Sequence, residues 1–251
     1  MTTTLSLGHS VSQWVIEHPV TSRVFEQYKI NYCCGGGQPL EEACVSKNVD
    51  APAVLMDLLD AISRRATDDA TTDEFVSKSL ADMCDSITST HHEYLKRELP
   101  RLTLLVDRVV SVHGNHHVWL LRLGASFQKL RDELLTHLSK EEQMLFPAIR
   151  LIEQSQAVPQ FPFGSVDNPI RMMEHEHDVA DQALKDIRAA SSDFTVPEGG
   201  CNTFRAMLDG LEELEADLHR HIHKENNVLF PRASQLAAKL SGGSKEEIVS
   251  R

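Results

Sequence analysis

One short motif occurs twice in this chain. His-Leu-Ser-Lys-Glu-Glu-Gln-Met-Leu-Phe-Pro at 137–147 returns as His-Ile-His-Lys-Glu-Asn-Asn-Val-Leu-Phe-Pro at 221–231. In each copy a histidine is followed four residues later by a glutamate, so both side chains lie on one face of an α-helix. Aliphatic residues continue that face in both copies. Because a buried carboxylate without a positive partner is costly, the motif predicts a metal ion between helices.

Comparison of the two copies restricts the candidate ligands. Two ligand-type positions are shared, which are His137 and Glu141 in the first copy and His221 and Glu225 in the second. The neighbouring Glu142, His219 and His223 have other residue types at the corresponding positions. They are therefore not predicted as ligands.

A second pair of histidines follows the same period. His92 and His177 are 85 residues apart, and His137 and His221 are 84 apart. Both His92 and His177 belong to apolar helical stripes and precede an acidic residue, although periodicity alone does not exclude His91. The chain thus reads as two copies of one helical hairpin, each with a histidine and then a His-x-x-x-Glu pair.

The doubled pattern favours a dinuclear site. Taken singly, an inward histidine is more often a hydrogen-bonded core residue, but six ligand-type residues in two copies favour metal binding. Mixed imidazole and carboxylate ligands suit iron, manganese or zinc. We expect each ion to take two histidines, with both glutamates bridging ions about 3.5–4 Å apart.

Four long segments have apolar residues at helical spacing. They cover 79–112, 116–153, 168–190 and 201–238, and glycine- or proline-containing loops separate them. No convincing alternating strand pattern is present, so the predicted fold is all-α, an up-down-up-down four-helix bundle. We expect the bundle domain to cover 79–240, after a polar and acidic linker at 66–78.

Residues 1–65 are predicted to form a small helical domain, with helices at 11–17, 19–28 and 40–47 and a fourth from Asp50 to about Arg65.

The loop at 31–39 contains the adjacent Cys33 and Cys34, followed by three glycines. Adjacent cysteines make a strained disulfide, so we expect open, reachable thiols that bind soft metal ions or attack electrophiles. An equally weighted alternative is two loop cysteines without a function. The other cysteines, Cys44, Cys84 and Cys201, are expected to be buried in helices.

Charge and composition restrict the partners. The formal net charge is −12, and no run of lysine and arginine stands out, which argues against nucleic acid. No apolar run approaches the roughly 20 residues of a membrane span, and the N-terminus does not resemble a signal peptide. Five cysteines, two of them adjacent, fit reduced thiols in the cytoplasm better than a disulfide framework.

These motifs together resemble a known family. Tyr32-Cys33-Cys34-Gly35-Gly36, the four histidines and the Glu-Asn-Asn-Val-Leu-Phe-Pro run are similar to the bacterial di-iron "repair of iron centres" proteins, a hemerythrin-like group. The resemblance covers about residues 5–235. It implies a hemerythrin-like bundle with two non-haem iron ions, whose ligands are His92, His137, His177 and His221, with Glu141 and Glu225 as bridging carboxylates.

The resemblance also implies a function. Proteins of this group restore iron–sulfur clusters damaged by nitric oxide or oxidants, so the expected partners are damaged iron–sulfur proteins, with nitric oxide or dioxygen as small ligands. Cys33 and Cys34 match the paired cysteines of the family, and we assign them the reactive role. Three alternatives remain open: a nitric oxide reductase or peroxidase, a protein that only traps nitric oxide or dioxygen, and a structural zinc bundle.

Overall fold

The computed structural model describes residues 5–65 and 74–246, and within these ranges it is all-α without a β-strand. The N-terminal part contains four helices: α1 (Val11–Glu17), α2 (Ser22–Gln27), α3 (Leu40–Lys47) and α4 (Ala51–Arg65). A capping box between Ser10 and Gln13 begins α1, because each side chain binds the backbone N–H of the other residue. The predicted helix at 19–28 is shorter than expected, since Pro19–Thr21 forms a 3₁₀ turn before α2.

The remaining chain forms the bundle. It begins with one helical turn, α5 (Glu74–Ser77), inside the predicted linker, of which residues 66–73 lie outside the described ranges. The elements that follow are α6 (Leu80–Ile87), α7 (Glu93–His113), α8 (Trp119–Lys140), α9 (Phe146–Gln154), α10 (Asp167–Ala190), α11 (Asn202–Lys224) and α12 (Phe230–Glu246). We call 80–113, 119–154, 167–190 and 202–246 the first to fourth bundle helices. The all-α prediction is confirmed, and the fourth bundle helix extends past the predicted residue 238.

Three of the bundle helices contain a π turn, where the helix holds one extra residue. The π turns are Thr88–His92, Glu141–Leu145 and Glu225–Leu229. In the second and third, the N–H of Phe146 or Phe230 donates to the carbonyl of the glutamate five residues earlier. Proline follows each phenylalanine and has no backbone N–H. The wider turn therefore leaves no donor unpaired at that next position. This explains why proline fits after the phenylalanine in both copies of the motif.

Two apolar clusters fill the bundle. One lies around Leu99, Phe127 and Leu211, and the other around Met83, Phe146 and Ile149. Within the bundle, α8 packs mainly against α10, and α7 mainly against α11. The N-terminal helices have a core of their own, which includes Trp14 and Phe25. Among the described helices, none combines the length and apolar character that crossing a bilayer requires.

Candidate metal centre

The six predicted ligands meet in one buried layer of the bundle. They form two groups that share both glutamates: His92 and His221 in one, His137 and His177 in the other. Within each group the ligand atoms lie within 4.8 Å of one another. Each histidine comes from a different bundle helix, so closing the bundle assembles the layer. Glu141 and Glu225 each begin a π turn, and His92 ends one. The layer thus coincides with the wider turns, as π turns often coincide with functional sites.

Each glutamate contacts one histidine of each group. Glu141 Oε2 lies 3.4 Å from Nε2 of both His92 and His137. Glu225 lies 3.2 Å from His177 Nε2 through Oε2 and 3.0 Å from His221 Nε2 through Oε1. A carboxylate between two imidazole pairs is what a bridging ligand of two ions requires. The expected division of ligands is therefore compatible with the geometry.

Several atoms of this layer are buried without a hydrogen-bond partner. They are His92 Nε2, both carboxylate oxygens of Glu141, and Glu225 Oε2, together with Nδ1 of His221. Buried polar atoms without a partner are rare because they lose hydration without compensation. In addition, Nε2 of His137 and Nε2 of His177 approach to 3.0 Å. Convergent nitrogen and carboxylate lone pairs are the donor set of a transition-metal ion, so the residues present fit a di-iron pair.

The outward nitrogens of three of these histidines are fixed by hydrogen bonds. His92 Nδ1 lies 2.8 Å from Glu142 Oε1, and His177 Nδ1 lies 2.8 Å from Asn226 Oδ1. Glu142 and Asn226 directly follow the two bridging glutamates, so the copies differ in residue type but agree in role. His137 Nδ1 lies 2.9 Å from Glu176 Oε2. Acceptors at Nδ1 place the proton there and leave the Nε2 lone pair for metal.

The fourth histidine breaks the symmetry of the repeat. The position that corresponds to Glu176 is His91, which stacks on His221 with the rings 5.2 Å apart and 3° from parallel. His91 Nδ1 lies 2.9 Å from Asp217 Oδ1, and His91 Nε2 lies 2.9 Å from Lys224 Nζ. His91 thus lies beside the layer and outside both ligand groups, which supports His92 as the ligand.

Charges in the layer compensate one another. Burial by itself raises the pKa of Glu141 and of Glu225, but the surrounding imidazoles outweigh it and lower both values. Burial opposes a proton on His137, yet Glu141 and Glu176 raise the pKa of His137 to about 10. Hydrogen bonds from His137 and Lys140 in turn lower the pKa of Glu176 to about 2. The metal-free layer therefore holds carboxylates as anions beside a protonated imidazole.

The cysteine loop lies against the fourth bundle helix. His223 Nδ1 lies 3.2 Å from the Tyr32 carbonyl, and Asn227 Nδ2 donates to the Cys33 carbonyl at 3.2 Å. This contact corrects the prediction of two open thiols, because Cys33 is 3% exposed and Cys34 is only partly exposed.

The remaining cysteines differ in their exposure. Cys44 and Cys84 are buried, as predicted. The prediction for Cys201 is wrong: this thiol is exposed just before α11, where its Sγ lies 3.6 Å from His113 Nε2.

Sequence reasoning missed a second stripe on the fourth bundle helix. His219, His223 and Asn227 follow one another at four-residue intervals and face the cysteine loop, beside the stripe that carries His221 and Glu225. The first copy of the motif has Leu, Ser and Gln at these positions. The difference between the two copies at these three positions was thus the one sequence feature that could have indicated the contact between the cysteine loop and this helix.

A cavity of about 540 Å³ reaches the layer from the side of the bundle. His137, His177 and His221 are among the residues that line it, together with aliphatic side chains such as Ala180 and Leu218. Charged side chains such as Lys129 and Asp132 also line it, so apolar and charged groups lie together along the approach to these histidines.

Residues 85–233 match the family model described as "Hemerythrin HHE cation binding domain", and residues 7–62 match a domain of unknown function, ScdA_N. The chain is similar to the "Iron-sulfur cluster repair protein YtfE" of Yersinia pseudotuberculosis serotype IB, with 36% identity over 227 residues, which is 90% of this chain and 96% of the relative. The protein of that name from Yersinia pestis strain Pestoides F is likewise 36% identical over the same shares of both chains.

Proposed function

The chain belongs to the hemerythrin-like iron–sulfur cluster repair proteins, and from this membership we propose that it restores damaged iron–sulfur clusters with iron supplied from a non-haem di-iron centre. His92 and His221 would hold one ion and His137 and His177 the other, with Glu141 and Glu225 common to both groups. When bound, a ferrous pair supplies labile iron and exchangeable coordination positions. The observation that carries the proposal is the set of buried Nε2 and carboxylate atoms that have no hydrogen-bond partner in this layer.

The protein residues have separate parts in this function. Glu142, Glu176 and Asn226 orient three of the imidazoles through Nδ1. Cys33 and Cys34 are the reactive thiols that receive iron on its way to a sulfide-rich acceptor, and their loop is held on the helix that carries His221 and Glu225. The partners are iron–sulfur proteins damaged by nitric oxide or oxidants.

The proposal includes the organisation and the location of the chain. Residues 1–65 form one unit, 66–78 the linker and 79–240 the bundle, and the two separate family matches support this division. The cytoplasm is the proposed compartment. Its support is chemical: all five cysteines are free thiols, the state that a reducing compartment maintains.

The test is transfer of labelled iron. Protein loaded with ⁵⁷Fe without oxygen is mixed with an iron–sulfur dehydratase inactivated by nitric oxide. Mössbauer spectra of the re-isolated dehydratase should show ⁵⁷Fe in its cluster as activity returns. The Glu141→Ala/Glu225→Ala variant should transfer little iron, whereas His116→Gln, an exposed histidine away from the layer, should behave as wild type. Recovery of activity without ⁵⁷Fe in the cluster would contradict iron donation.

A second candidate function is binding or reduction of nitric oxide at the same centre. The cavity of about 540 Å³ whose lining includes three of the histidines favours it, because a space of that size admits a small neutral gas. Steady formation of nitrous oxide from nitric oxide with an electron donor would support this function. Stoichiometric binding without turnover would indicate a trap.

A further inference from the structure

A second cluster of ligand-type side chains lies next to the metal layer. Cys33 Sγ, a carboxylate oxygen of Asp181 and an imidazole nitrogen of His219 lie within 4.8 Å of one another. Cys33 and Asp181 are 3% and 6% exposed, and His219 is partly buried. The three residues come from the N-terminal loop, α10 and α11, and none is a ligand of the dinuclear layer. Three chemically different ligands thus converge from three separate segments.

The cluster is held in place by its surroundings. Asn31 Nδ2 donates to Asp181 Oδ1 at 3.1 Å. Asn31 Oδ1 accepts the backbone N–H of Cys33 at 3.0 Å and lies 3.2 Å from Cys33 Sγ. His219 Nε2 lies 3.6 Å from Asp181 Oδ1, so one carboxylate oxygen faces both the loop and the imidazole. These contacts orient the ligands before any ion arrives.

The charges of the cluster favour a cation. A hydrogen bond from Cys34 lowers the pKa of Cys33, and the nearby His219 adds to this effect. The ammonium group of Lys185 already binds Asp181 Oδ2 at 2.5 Å, and 54% of the Lys185 side chain is exposed. A flexible, half-exposed lysine can turn into solvent and leave the carboxylate to a more strongly bound ion.

The cluster lies between the dinuclear layer and solvent. Asp181 follows His177 by one turn of α10, a rise of about 6 Å along the helix axis. His219 precedes His221 by two residues on α11. On the other side, Asp181 and His219 line a groove of about 500 Å³ between the bundle and the N-terminal helices, with Asn31 and Tyr32 on the opposite wall.

We propose that Cys33, Asp181 and His219 bind one divalent transition-metal ion, ferrous iron in the working protein, in addition to the di-iron pair. Thiolate, carboxylate and imidazole suit borderline ions such as ferrous iron, zinc and cobalt, and three protein ligands leave a position for an exchangeable ligand. Binding releases the thiol proton of Cys33 to solvent. That this ion is iron in transit rests on the proposed function, whereas the binding site itself does not.

The test uses cobalt as a spectroscopic probe. Full-length protein with its bundle site filled with iron, and with Cys201→Ser to remove the exposed thiol, is titrated with Co²⁺ without oxygen. We expect one cobalt per chain with a sulfur-to-cobalt charge-transfer band. Cys33→Ala should abolish the band, and Asp181→Asn and His219→Gln should weaken binding by at least about tenfold. Lys185→Met should tighten binding because it removes the competing cation, and this gain cannot result from misfolding.

The outcomes separate this inference from the proposed function. A band that survives Cys33→Ala, or cobalt binding unchanged in all three ligand variants and in Lys185→Met, would overturn the inference. Glu141→Ala/Glu225→Ala should keep the cobalt band while losing repair. Normal repair without a cobalt site contradicts only the third site, and a cobalt site in a protein that transfers no ⁵⁷Fe contradicts only the proposed function.

Discussion

Glu142 and Asn226 hold equivalent positions in the two halves of the bundle, and each accepts from the Nδ1 of a candidate ligand. Partners of this kind usually affect metal affinity by about 10–100-fold when removed. We expect Glu142→Ala and Asn226→Ala each to weaken iron binding to this extent, while the helical content stays unchanged. Competition with a coloured ferrous chelator measures the effect.

Glu93→Ala is the matched control for Glu142→Ala. Glu93 binds the same lysine as Glu142: Lys96 Nζ lies 3.1 Å from Glu93 Oε1 and 2.9 Å from Glu142 Oε1. The control therefore removes a carboxylate from the same lysine without touching an imidazole, and its iron affinity should equal that of wild type. Equal losses in both variants would show that surface charge, and not orientation of His92, sets the affinity.

His137 gives a prediction about protons. Its raised pKa of about 10 means that His137 of the metal-free protein is a cation at neutral pH, with a proton on each ring nitrogen. Because only the neutral imidazole ligates, metal binding must release one of these protons, and affinity should rise as the pH rises toward 10. Titration of the metal-free protein with ferrous iron in weak buffer, followed with a pH indicator, measures the release. Binding without any proton release between pH 7 and 8 would contradict the assignment of His137 as a ligand.

The convergence of the six candidate ligands was predictable because a repeated spacing encodes them. Each of the six lies on an apolar helical face. Comparison of the two copies distinguishes these residues from neighbouring histidines and carboxylates that are not repeated. The residues that orient them were not predictable, since which side chain reaches an Nδ1 depends on the distance between helices. Glu176 and His91 illustrate this limit: they correspond in the repeat, but one binds an imidazole nitrogen and the other stacks on a ring.

At the scale of the helix, the π turn at Glu141–Leu145 leads to a deletion experiment. A π turn is one residue inserted into an α-helix, so deleting the exposed Gln143 should restore a regular helix and keep the apolar face on both sides in phase. We expect a folded bundle with near-normal circular dichroism that has lost most of its iron, because Glu141 is displaced. Deletion of Asp132, in the regular part of α8, rotates the following face by about 100° and should unfold the bundle.

The bounds of the first three bundle helices followed from apolar periodicity to within about three residues, but the end of the fourth helix and the π turns did not. The periodicity of a long helix changes little when one residue is inserted, and no propensity marks a π turn. The Leu-Phe-Pro run in both copies was a local signal, since proline removes a donor at the end of each of these turns. The helix that carries His177 contains no π turn, so the repeat alone did not indicate which helices would widen.

At the scale of the whole molecule, two hydrogen bonds hold the cysteine loop on the fourth bundle helix, from His223 to Tyr32 and from Asn227 to Cys33. Each hydrogen bond contributes about 1 kcal/mol to the closed state. Loss of one should therefore raise the population of open loops roughly 5-fold, and loss of both roughly 30-fold. We expect His223→Ala/Asn227→Ala, which loses both bonds, to increase the rate of Cys33 alkylation roughly 30-fold in a Cys34→Ser/Cys201→Ser background.

The control for the loop experiment is its counterpart in the first copy. Ser139→Ala/Gln143→Ala alters the corresponding positions of the second bundle helix, where the cysteine loop does not dock. It should leave alkylation of Cys33 unchanged. If both double variants react at the rate of the parent, the loop is not held by these bonds.

The docking of the two parts of the chain was beyond sequence reasoning. The glycines of the loop predicted accessibility, and nothing local indicated that α11 would cover Cys33. Burial at such a contact depends on residues about 190 positions apart, for example Tyr32 and His223.

The division of the ligands has a consequence for ancestry. The first two bundle helices provide His92 and His137, and the last two provide His177 and His221, yet each ligand group takes one histidine from each hairpin. A hairpin made as a separate chain would contain half of the ligands of each ion. Two identical hairpins, related by symmetry, would together provide all of the ligands. A gene for one such hairpin, duplicated and joined, leaves the arrangement found here. Within one chain the halves need not match outside the ligands: the first has leucine, serine and glutamine where the second has the three residues that contact the cysteine loop.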